Sequence, residues 1–159
     1  MRCSLIAALL MCALGVQAVP QSAPQTAAPQ RKIPCKTAEN ASMCYWTRGR
    51  LSFYQGNPSY RIWKVGTKRI LGIYSGPNSQ GIDPLDGEHP EFPANLSRAF
   101  RAEYERNVAL KIDTPYLIGD VFAKFEVCPL EPDKPGYMQA SCIESAKNIF
   151  AAASKRGYR

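Results

Sequence analysis

The sequence predicts a mainly β protein: a small five-stranded OB-like barrel with one helix between strands 3 and 4 and a short C-terminal helix. Three observations carry that prediction. Apolar and polar residues alternate with a period of two in several short segments, and clusters of Gly, Pro and Asn separate those segments. Between them, one segment repeats its apolar residues every four positions. In order these give strand, strand, strand, helix, strand, strand. That is the element order of an OB barrel, which closes on itself and leaves no strand edge exposed.

The first strand is expected over Tyr45 to Tyr54. Tyr45, Thr47, Gly49, Leu51 and Phe53 share one face, read as the core side, and Trp46, Arg48, Arg50, Ser52 and Tyr54 share the other. Gln55-Gly56-Asn57-Pro58 turns the chain into a second strand, Ser59 to Val65, with Arg61 and Trp63 on one face and Tyr60, Ile62 and Lys64 on the other. Gly66-Thr67-Lys68 turns it again into the third strand, Arg69 to Tyr74. Residues 75–93 read as a polar surface loop. It holds His89, the chain's single histidine, and the acids Asp83, Asp86, Glu88 and Glu91. No Ser or Cys partner for the histidine is identifiable, and Asp-Pro-Leu-Asp-Gly-Glu lacks the ligand spacing of an EF-hand.

Leu96, Phe100, Tyr104 and Val108 then recur every four residues, which predicts an amphipathic helix with a core-facing stripe. Pro93 suits its first turn, and Arg101–Glu105 and Glu103–Arg106 offer local ion pairs. Asp113-Thr114-Pro115 ends it. Val121 to Cys128 alternates as a strand, the Pro-rich stretch Pro129 to Gly136 turns, and Tyr137 to Glu144 returns as its partner. The Ala-rich stretch Ser145 to Ser154 is read as the C-terminal helix. The expected core is Leu51, Phe53, Ile62, Leu71, Ile73, Phe125, Val127 and Ile143, with Phe100 and Tyr104 plugging the barrel from the helix.

The organisation ahead of this domain points to export. Arg2 precedes a mostly apolar run, Leu5 to Val16, followed by Val16-Gln17-Ala18 at a small-residue cleavage site. Residues 1–18 are therefore read as a signal peptide, since the run is too short to cross a bilayer as an anchor. Cys12 fits a lipid-attachment site poorly. Residues 19–34 read as a Pro/Gln/Ala-rich linker and 35–159 as the single barrel domain. Cys35, Cys44, Cys128 and Cys142 survive processing, and an even number in an exported chain implies disulfides. Three pairings are possible. Proximity favours Cys35–Cys44 with Cys128–Cys142, and a cross-pairing such as Cys44–Cys142 is the alternative. Zinc is disfavoured because the spacings lack the close pairs of zinc knuckles, and there is no Cys-x-x-Cys for redox work. No metal or cofactor is expected.

Removal of the leader leaves a net charge of +6, from 19 Lys/Arg against 13 Asp/Glu. The charge is concentrated. Tyr45 to Tyr74 holds six Lys/Arg, seven aromatic residues including both Trp, and no acid. Cations interleaved with flat rings suit an anionic or ring-bearing polymer. The candidate ligand-binding residues are Trp46, Arg48, Arg50, Arg61 and Trp63: parity puts the first three on one face of a strand and the last two on one face of its neighbour, and they form one exposed face if those two faces coincide. The alternative for Trp63 is the barrel interior. In OB barrels the ligand face lies mainly on strands two and three and the neighbouring loops, and this segment overlaps it.

Arg61-Ile62-Trp63, Val65-Gly66-Thr67-Lys68-Arg69 and Leu71-Gly72, with Phe125-Glu126-Val127-Cys128-Pro129 and Cys142-Ile143-Glu144, resemble a group of small exported proteins of Gram-negative bacteria. The resemblance spans roughly residues 46–148, with Cys35 and Cys44 outside its motifs. It implies export, periplasmic or secreted, and a shared fold. It implies no activity, because the group has none assigned. No catalytic constellation is visible, so a non-catalytic module is expected, not an enzyme. Its expected partner is an anionic polymer, a glycan or an envelope protein. Nucleic acid suits the same chemistry, but exported proteins rarely meet it. The alternative is a structural or assembly protein that uses the same face as a protein–protein interface.

Overall fold

The computed structural model describes residues 31–77, 87, 89–111 and 119–152. The leader, linker residues 19–30, the acids Asp83, Asp86 and Glu88, the helix-ending Asp113-Thr114-Pro115 and residues 153–159 lie outside the described residues.

A short 3-10 turn, Ala41–Met43, leads into strand β1 (Tyr45–Phe53). There follow β2 (Tyr60–Lys64), β3 (Ile70–Tyr74), helix α1 (Ala94–Ala109), β4 (Asp120–Pro129) and β5 (Gln139–Ala152). Hydrogen bonding runs β1-β2-β3-β5-β4 and β4 closes on β1, giving a closed five-stranded barrel with the helix between β3 and β4. The β3–β5 pair is parallel and the other four are antiparallel.

The period-two pattern explains the closure. Each strand turns one apolar set inward, and Leu51, Ile62, Leu71, Ile73, Val121, Phe125, Val127 and Ile143 are all buried in one cluster. Where β1 passes β2 most closely the inward residue is Gly49. A Cβ there would lie 2.4 Å from Ile62 Cγ2, so the approach requires glycine. One end of the barrel is sealed by rings. Phe53, Tyr60, Phe92 and Phe100 meet edge to face at centroid distances of 5.3, 4.9 and 5.0 Å along the series. Leu96 and Phe100 of α1 pack on this cluster.

Four expectations are corrected. Tyr104 does not plug the barrel; it is 45% exposed, as is Val108 at 52%. A residue every fourth position drifts about 40° around a 3.6-residue helix at each step. The buried face therefore passes from Leu96 and Phe100 to Glu103 and Asn107, and Arg106 pairs with the Glu103 carboxylate at 2.6 Å. The Ala-rich segment is not a C-terminal helix: residues 145–152 continue β5, which pairs with β4 as far as Asp120↔Ala152. The backbone groups of β4 need partners to close the barrel, and that tertiary demand outweighs alanine's helix propensity. The last residues assigned to the linker are part of the fold, because the Arg31 guanidinium donates to Glu91 O at 2.6 Å and the amides of Lys32 and Ile33 donate to the Glu91 carboxylate.

The fourth correction is the disulfide map. The bonds are Cys35–Cys142 and Cys44–Cys128, so neither the proximal pairs nor Cys44–Cys142 form. Register dictates this. Tyr45 lies opposite Val127, which brings Cys44 opposite Cys128 at a Cα–Cα distance of 4.1 Å. Cys128 and Cys142 do face each other across β4 and β5, but each is taken by a cysteine of the N-terminal segment. No helix among the described residues is long and apolar enough to cross a membrane.

Candidate binding face

The outer surface of β1 and β2 carries the residues that parity assigned to it. Trp46 and Trp63 are each 38% exposed, so Trp63 belongs to the outer surface and not to the barrel interior. Arg50 lies opposite Trp63 across the β1–β2 pair, its guanidinium carbon 5.8 Å from the indole centroid. The Trp63 indole N–H donates to the Tyr54 hydroxyl at 2.9 Å, which fixes the ring's tilt. Arg61 lies on the same side but at the margin. Its Nε donates to Pro58 O at 3.2 Å and its guanidinium stacks 5.0 Å from the Tyr54 ring centroid, so it buttresses Tyr54.

The face does not extend onto β3, as an OB barrel's would. Arg61 lies opposite Gly72, where an added Cβ would fall 2.7 Å from Pro58 Cγ and 3.3 Å from Met138 Cε. The turn before β2 and the loop before β5 thus cover β3 from outside. Arg69 pairs with Asp133 of that loop and helps hold it there. The open surface runs the other way, from β2 across β1 to β4 and β5.

Two registered rows cross it. In the first, Trp63 lies opposite Arg50, Arg50 opposite Phe122, and Phe122 opposite Phe150. In the second, Arg48 lies opposite Lys124 and Lys124 opposite Lys147. Like charges directly opposed across a strand pair are destabilising, so the second row is a cost the fold carries. The Trp46 ring relieves part of it, with the Lys147 ammonium 3.9 Å and the Lys124 ammonium 5.9 Å from its centroid.

The acids bordering the face already have partners, one of them Arg50 of the face itself. Asp120 accepts from the Ser52 hydroxyl at 2.5 Å and lies 3.8 Å from Arg50. Glu126 takes the Lys36 ammonium at 2.8 Å, and that hydrogen bond holds Lys36 above its ordinary pKa. Among the described residues, no carboxylate lies within ion-pair distance of Arg48, Lys124 or Lys147.

The structure therefore joins Trp46, Arg48, Arg50 and Trp63 into one surface and sets Arg61 at its edge. Four residues outside the sequence-based set complete it: Phe122, Lys124, Lys147 and Phe150. For Phe122 and Lys124 a signal was present, since both fall on the non-core side of an alternating strand. The Sγ atoms of Cys35, Cys128 and Cys142 lie within 4.8 Å of one another, but all are oxidised and present no thiolate to a metal. No protein-family model, curated protein or solved structure matches the chain.

Proposed function

We propose that this protein is an exported, non-catalytic binding module that holds an anionic polymer or glycan of the cell envelope on the outer face of β2, β1, β4 and β5. The observation that carries the reading is the row Arg48–Lys124–Lys147, three cations in register with no carboxylate within ion-pair distance of them among the described residues. A fold that keeps mutually repelling charges adjacent gains most from a ligand that neutralises them. The bordering rings of Trp46, Trp63 and Phe122 suit stacking on sugar rings. Two disulfides fit an oxidising compartment, in line with the signal-like N-terminus and the resemblance to small exported proteins.

The test is retention of the oxidised protein on a heparin-type resin across a salt gradient. Binding through phosphate, sulfate or carboxylate groups weakens steeply with salt. Arg48→Ala combined with Lys124→Ala should elute at markedly lower salt with unchanged circular dichroism, whereas Arg61→Ala should shift elution less. Equal retention of the Arg48/Lys124 variant and the parent would reject the reading. The exposed rings Phe122 (40%) and Phe150 (65%) favour a second reading, an interface with an envelope protein. That partner would remain bound at salt concentrations that strip a polyanion.

A further inference from the structure

Within the closed barrel wall, β4 and β5 slip out of register. Lys124 pairs with Lys147 but Phe122 with Phe150, so β5 carries one extra residue between those pairs. Asn148 occupies the bulge with φ 54°, a left-handed conformation that asparagine tolerates better than most residues. Bulges of this kind re-aim side chains and recur beside functional sites. Next to this one lies an open cleft of about 350 Å³.

Three kinds of group line the cleft. Arg48 and Lys124 bring positive charge, Val65, Phe122 and Phe150 bring apolar and ring surface, and Asn148 brings a carboxamide that both donates and accepts. We infer that the cleft binds the end group of an acidic saccharide: one sugar ring bearing a single carboxylate or phosphate. The inference rests on the binding-face reading above and deepens it.

The chemistry selects this class by using every group. A bare polyanion needs the cations but leaves the rings and the amide unused. An apolar ligand covers the rings but strips water from two cations without replacing it. An acidic sugar places its anion against the Arg48 fork and the Lys124 ammonium. Its ring face lies on Phe122 and Phe150, and its hydroxyls meet Asn148. The volume is near the lower end of the roughly 300–1,000 Å³ usual for small-molecule sites, which suits an end group and not a length of chain.

Titration of the oxidised, isotope-labelled protein with four probes tests this, with amide shifts of Gly49, Ala123 and Asn148 as readout. Glucose 6-phosphate and glucuronic acid should move these amides and saturate, and the tighter of the two identifies phosphate or carboxylate as the anion. Glucose and inorganic phosphate should each bind at least about tenfold more weakly, because each lacks one set of contacts. Phe150→Ala should weaken the acidic sugars about tenfold through lost stacking. Asn148→Gly, which keeps the left-handed bulge, should also weaken them, and Tyr137→Ala on the distant loop should change nothing. Inorganic phosphate binding as tightly as glucose 6-phosphate would overturn the inference. So would acidic sugars that leave these amides unmoved while salt-sensitive heparin retention persists, in which case the broader face reading survives. Saturation of the cleft without heparin retention would sustain the inference and remove the polymer reading. Failure of both would remove both.

Discussion

Replacing Cys35 and Cys142 together with alanine removes the outer of two nested bridges without burying a hydroxyl or leaving a free thiol. Alone, closure of the 107-residue loop is worth about 4.8 kcal/mol in the chain-entropy model, and the 84-residue loop about 4.6 kcal/mol. The bridges are not independent. With Cys44–Cys128 intact, the unfolded chain is already a ring, and the outer bond closes only the remaining 23 residues by which the loops differ. That second closure is worth about 3.4 kcal/mol in the same model. Either pair removed alone should therefore cost about 3.4 kcal/mol, and both together about 8 kcal/mol, slightly more than the two single costs combined. Urea unfolding followed by circular dichroism reads this as a midpoint shift of roughly 2 M for each single pair, at a slope of about 1.5 kcal/mol/M. Against a total stability of about 5–15 kcal/mol, the variant lacking both bridges should lose half or more of its stability. A single-pair cost under about 1 kcal/mol would refute the loop-entropy account. Single costs that simply add up to the double cost would refute the nesting.

Two further outcomes follow from the ring cluster. Phe100→Ala should destabilise by about 3–5 kcal/mol, since Phe100 is 7% exposed and packs on Phe92; a loss below about 1 kcal/mol in the same urea assay would mean that the helix does not seal the barrel. Tyr60 is partly buried in the ring cluster, and that burial raises its pKa above the ordinary phenol value. The folded state thus holds this proton more tightly than the unfolded state, so the stabilisation is complete below the unfolded pKa near 10 and falls as pH rises through the folded value. Tyr60→Phe should flatten that high-pH decline, and the ultraviolet titration of the phenols should lose a component above the ordinary phenol range in that variant.

The barrel was legible in the sequence because each strand buries one face, and a half-buried strand must alternate. Leu51, Ile62, Phe125 and Val127 fell where the pattern put them. Misread features share a physical cause: they depend on which segments meet. Residues 145–152 are alanine-rich and carry no strong period, so only pairing with β4 makes them a strand. Tyr104 was assigned to the core by a four-residue repeat that the true helical pitch carries away from it. Cysteine connectivity follows from register between β1 and β4, which no local spacing encodes. The candidate face was half legible. Parity found Trp46, Arg48, Arg50 and Trp63, but Lys147 and Phe150 join them through closure of β5 onto β4 and a one-residue bulge.

The bridges link the first of these cysteines to the fourth and the second to the third. Under the proposed export, a chain threading through a membrane N-terminus first would present Cys35 and Cys44 together, long before either partner emerges. In an oxidising compartment the bond that forms soonest is then the wrong one. Reaching the native map requires those two thiols to stay reduced until β4 and β5 arrive, or requires the early bond to be exchanged afterwards. Yield in a host should therefore follow disulfide-isomerase capacity more closely than oxidant strength.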